Sequence, residues 1–180
     1  FYRMGLVHIY GPIHKELCKT YNVFHIAYSQ KESDILKKDF DILVDAIFLD
    51  EVSNQIKNRE SDEKLHRQID EEYIKLTNNR FNLNSALISD RGFKYLTYAE
   101  ALHLAQSYYL FWSDFLNKQN KFVLFHETTS LLFNHICSMQ CQNHNGIYAG
   151  FIGSKGLSKH NFRFVEFDTG ESLLLRHKYS

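Results

Sequence analysis

Two kinds of apolar run alternate along the chain. Short unbroken ones occupy residues 4–10, 23–28, 46–49, 122–125 and 147–152 and read as buried strands. The first stops at Gly11-Pro12, after which residues 13–19 read as a short helix with Pro12 in its first turn. The second runs into Ser29-Gln30-Lys31-Glu32, a capping box that opens a helix ending near Lys38. Over residues 61–76, Leu65, Ile69, Tyr73 and Leu76 form a helical stripe on a segment whose many charges make a solvated face. Residues 83–88 fit helix and strand equally. Thr97-Tyr98-Ala99-Glu100 is a second capping box, and behind it Tyr98, Ala101, Leu102, Ala105, Tyr109, Trp112 and Leu116 trace one face of a long helix. Residues 122–125 have the character of a strand covered on both sides. Residues 128–144 read as a helix with Leu132, Ile136 and Met139 inward, stopped by Asn145-Gly146. This last order contains a βαβ unit, and Phe162, Phe164 and Phe167 add a further extended, partly exposed segment. The pattern predicts a single three-layer α/β domain over residues 1–180.

Composition narrows the function classes. With 21 Lys and Arg against 21 Asp and Glu, the net charge is +0, which argues against a nucleic-acid partner held by electrostatics. One Pro and 8 Gly favour regular elements over a loop-rich sandwich. No apolar run approaches the length of a membrane span, and no secretory leader stands in the chain. Cys18, Cys137 and Cys141 make no disulfide framework, so a reducing compartment is expected. Phe1 comes first and the nearest Met is Met4, so the chain reads as a piece of a longer protein.

Ligands of α/β sheets bind beyond the carboxyl ends of the strands. Three places qualify. Gly11, with His14 beyond it, can admit a ligand to the backbone, although a Gly before a Pro is also an ordinary turn. Ser29 can bind a ligand, although its capping role explains it. His126-Glu127-Thr128 follows a buried strand and opens a helix, whose N–H groups can hold a carboxylate or hydroxyl; Glu127 can equally just complement the helix dipole. Cys137, Cys141 and His144, with His135 nearby, share a helix face that could ligate zinc, but the spacing matches no paired knuckle and no metal is expected. Residues 150–156 are glycine-rich without the spacing of a phosphate loop, so no cofactor is expected either. Arg163 taken alone is a surface cation.

From residue 88 onward the order of features resembles the N-terminal half of bacterial surface-polysaccharide biosynthesis proteins, glycosyltransferases of capsule or lipopolysaccharide assembly with the two-domain GT-B fold. The matching residues are Ser89-Asp90-Arg91, the helix end from Tyr109 to Leu116, the strand Phe122-Val123-Leu124-Phe125-His126-Glu127, the step to Asn145-Gly146-Ile147, and residues 158–168 carrying Arg163. No sharp glycine-rich loop follows the first strand, which departs from that pattern.

The resemblance implies a Rossmann-like domain with a mainly parallel sheet, the acceptor-side half of a two-domain cytoplasmic enzyme at the inner face of the membrane. Its partners would be a glycan acceptor and a nucleotide-sugar donor, the donor held by a C-terminal domain outside this chain. Glu127 would be the general base, with Gly11, His14, Ser29, His126, Thr128 and Arg163 lining the substrate site. The alternative is a non-catalytic module, flavodoxin-like in outline, that binds a small ligand or a protein.

Overall fold

The structure is a computed structural model that describes residues 7–127, 131–153 and 162–165. The chain divides between Arg59 and Glu60 into two compact units.

In the first unit, α1 (Val7–Leu17) is followed by β1 (Ile26–Ala27), α2 (Gln30–Phe40), β2 (Ala46–Ile47) and α3 (Phe48–Asn58). β1 and β2 pair in parallel, with Ile26 opposite Ala46 and Ala27 opposite Ile47. The core joins Val7, Ala27, Leu36 and Ile42, flanked by Ile35, Phe40 and Val44. α2 ends at Asp41, which takes a left-handed φ of 54°, and the Ile42 N–H returns to the Leu36 carbonyl. The Asp41 N–H also donates to the Lys37 carbonyl, the bond of an αL cap, with Asp in the place glycine usually holds.

The predicted first strand is overturned: residues 7–10 are the opening turns of α1, and Pro12 lies inside that helix. Residues 4–6 of that expected strand lie outside the described residues. The buried positions Val7 and Gly11 are four apart, the helical repeat, and a short apolar run does not reveal its period. The apolar run at 46–49 likewise splits, its second half beginning α3.

In the second unit, α4 (Glu63–Leu76), α5 (Leu83–Ser89), a 3₁₀ turn (Arg91–Phe93) and α6 (Tyr98–Leu116) precede β3 (Val123–Glu127), α7 (Leu132–Asn143), β4 (Ile147–Gly153) and β5 (Phe162–Val165). The capping box at Thr97 is present and the Ile69 and Tyr73 stripe of α4 is buried, both as the pattern predicts. The ambiguous residues 83–88 are helix, capped by Asn82. α6 is central and packs on α4, α5 and α7. It buries Tyr108, Phe111, Gln106 and Ser107 besides its predicted face, whereas Tyr98 stays exposed. Gln106 is satisfied at both ends of its amide: it accepts the Asp62 N–H at 3.1 Å and donates to the Asp62 carbonyl at 2.7 Å. A buried amide so matched adds no unpaired polar group to the core and fixes where α4 begins.

The βαβ unit is present. β3 and β4 pair in parallel, Val123 with Ile147 through Glu127 with Phe151, and β5 adds antiparallel on the far edge of β4. A three-layer Rossmann-like sheet is not what these residues build. The described residues are mostly helical, and their strands fall into two separate small sheets of two and three strands. The physical reason is α6, which is buried around most of its circumference and takes the central place that a sheet would fill. β3 is also not covered on both faces, since Val123 is 50% and Phe125 37% exposed. Among the described residues no helix is long and apolar enough to cross a membrane.

Candidate functional site

The carboxyl end of the three-stranded sheet gathers three of the residues singled out by sequence. His126 stands in register with Gly150, and Glu127, the last residue of β3, with Phe151. Phe151 in turn faces Phe164, and the next position of β4, Ile152, faces Arg163. The backbone therefore places Glu127 and Arg163 at the same end of one sheet, two strands apart, or roughly 10 Å at ordinary strand spacing. Thr128 lies outside the described residues.

His126 is held from several sides. Its Nδ1 is 3.0 Å from the Asn134 amide nitrogen, so with the amide in that orientation Nδ1 accepts and the ring proton sits on Nε2. The imidazole meets Phe133 edge-on at 4.9 Å and Trp112 at 6.4 Å, and stacks on Tyr148 at 6.1 Å. Asn134 is fully buried in the first turn of α7, a position with no sequence signal beyond its nearness to the strand.

The N-terminus of α7 does not offer the anion site expected of it at its first residue. The Leu132 N–H donates to the Asp90 carboxylate at 2.7 Å, and the other oxygen of Asp90 takes the Gly92 N–H at 2.7 Å. The protein's own carboxylate fills the place that a ligand's would occupy. This contact also explains Asp90, which the sequence marked only as part of a pattern: it ties the Ser89-Asp90-Arg91 segment to the βα step 42 residues later.

The remaining candidates lie in the first unit. Gly11 admits no ligand: a Cβ there would stand 2.7 Å from the Phe40 ring, so the missing side chain makes room for α2. Ser29 precedes α2 in extended conformation, but its hydroxyl makes no capping bond, and the Glu32 carboxylate accepts the Tyr28 N–H instead. His14 is brought beside His25, with Nδ1 to Nδ1 at 3.3 Å. Asp45 joins them by accepting the His25 backbone N–H at 2.6 Å. Burial pushes His14 down from the usual histidine range and His25 down to about 4, the neighbouring His14 adding to the second shift and Asp45 opposing both.

The cysteine group is core. Cys137 and Cys141 are buried free thiols, and burial, reinforced by Cys141, raises the Cys137 thiol well above its usual range. His135 Nδ1 is engaged by the Tyr73 hydroxyl at 2.6 Å. Among the described residues no group of three or more His, Cys, Asp or Glu is placed to hold a metal ion. Compared with known proteins, the chain matches no family model, no curated sequence and no solved structure.

Proposed function

We propose that this chain is the acceptor-side part of a glycosyltransferase that builds a bacterial capsule or lipopolysaccharide. The observation that carries the reading is the backbone placement of Glu127 at the end of β3 and of Arg163, one row further on in β5, at the same end of the β3–β4–β5 sheet, where ligands of parallel strand pairs bind. The resemblance along the second half of the chain points the same way, and Asp90 joins two of its segments. In this reading Glu127 takes the proton of an acceptor hydroxyl as that oxygen attacks the anomeric carbon, and the bond to the nucleotide diphosphate breaks with its electron pair leaving on the diphosphate. The donor is bound by a C-terminal domain outside this chain, and the assembly works on the cytoplasmic face of the membrane.

Thermal unfolding of the 180-residue chain with added ligand tests this division of labour. Oligosaccharide fragments of the polysaccharide should raise the midpoint, a ligand at about a hundred times its Kd being worth about 2.7 kcal/mol. Nucleotides and nucleotide sugars should leave it unmoved. A clear nucleotide shift would overturn the acceptor-side assignment.

A second reading, a ligand- or partner-binding module without catalysis, is favoured by one observation. His126 is packed among Phe133, Trp112 and Tyr148 as a core residue is. Its flavodoxin-like outline falls with the three-layer sheet.

A further inference from the structure

The first unit carries a pair of imidazoles, His14 of the expected substrate site and His25, to which the proposed reaction at Glu127 assigns no step. His14 lies on α1 and His25 one residue before β1; their Nδ1 atoms are 3.3 Å apart, with the ring planes tilted 50° to each other. Both rings are half-buried. Two ligands bound to zinc at about 2.05 Å and at the tetrahedral angle stand about 3.3 Å apart, so the pair already has the bite of a chelate. Asp45 lies next to them with its carboxylate on the His25 backbone N–H, a negative charge beside the place where a cation would sit.

We propose that His14 and His25 form a two-histidine clip for a borderline divalent transition metal such as Zn²⁺. Asp45 acts as its counter-charge, and water completes the coordination. The clip needs no third protein ligand, in keeping with the absence of larger clusters among the described residues. The competing role of the pair is a plain N–H···N hydrogen bond between neutral rings, and the two differ in what added metal does.

The experiment is a titration of the 180-residue chain with Zn²⁺ against a chromophoric chelator, alongside imidazole ¹H–¹⁵N spectra. The proposal predicts one equivalent and movement of the Nδ1 resonances of both His14 and His25. His14→Asn should weaken binding by at least about tenfold. His8→Asn, on the same helix but packed on Phe40, should leave it unchanged. His25→Asn should behave as His14→Asn does; if circular dichroism shows that it does not fold, the His14→Asn variant and the spectra decide. No binding, or binding equally strong in His14→Asn, would overturn the proposal and leave the pair as a hydrogen bond.

Discussion

The carboxylate of Asp90 receives the backbone N–H of Leu132 and thereby starts α7 from a segment that precedes α6. A charged cap of this kind is stronger than a neutral one. Asp90→Ala should cost about 1 to 2 kcal/mol, because both the Leu132 and the Gly92 N–H lose their acceptor. Asp90→Asn, which keeps an acceptor oxygen, should cost less. Urea unfolding of the two variants checks the order.

Gly11 gives a prediction whose sign depends on two magnitudes. Alanine favours a helix interior by about 1 kcal/mol over glycine, yet the added methyl meets the Phe40 ring at 2.7 Å. Overpacking of that kind costs about 1 to 3 kcal/mol, so Gly11→Ala should destabilise. In a Phe40→Ala background the same change should turn neutral or stabilising. A double-mutant cycle by chemical denaturation reads the coupling.

What the sequence made legible was local. The Thr97 box, the Ile69 and Tyr73 stripe and the β3–α7–β4 step follow from spacing and capping chemistry that a few neighbouring residues determine. The layers were not legible. Residues 7–10 are helix, with Gly11 of that helix packed against Phe40, 29 positions away, and nothing in a short apolar run encodes that partner. The site divided in the same way. Glu127 at a strand end could be read from the apolar run before it, whereas the Asn134 contact to His126 and the meeting of His14 with His25 and Asp45 arise only on folding.

The Thr97 capping box should make stability pH-dependent. The Thr97 backbone N–H and then its hydroxyl hold the Glu100 carboxylate below its usual range. A depressed folded-state value means stability that is complete above the ordinary carboxylate range and is lost as pH falls from that range through the lower folded value. Glu100→Gln should flatten the acid limb of the stability profile. Thr97→Ala should cost about 1 kcal/mol at neutral pH.

His25 predicts a second acid-sensitive step, at higher pH. Its folded value is about 4 against an ordinary 6.5, chiefly through burial, so the unfolded chain binds the extra proton between those values. Stability therefore holds above pH 6.5 and declines from there to about pH 4, with a slope of at most about 1.4 kcal/mol per pH unit. His25→Asn should remove that slope in calorimetric scans across the window.

The proposal stands on Glu127 acting as a base at the sheet end, and steady-state turnover of the full-length gene product with Glu127→Gln tests it most directly. Loss of the base should lower kcat by about 10²- to 10⁴-fold while glycan affinity and the unfolding midpoint stay near those of the parent. Unchanged turnover in a correctly folded Glu127→Gln enzyme would contradict the account.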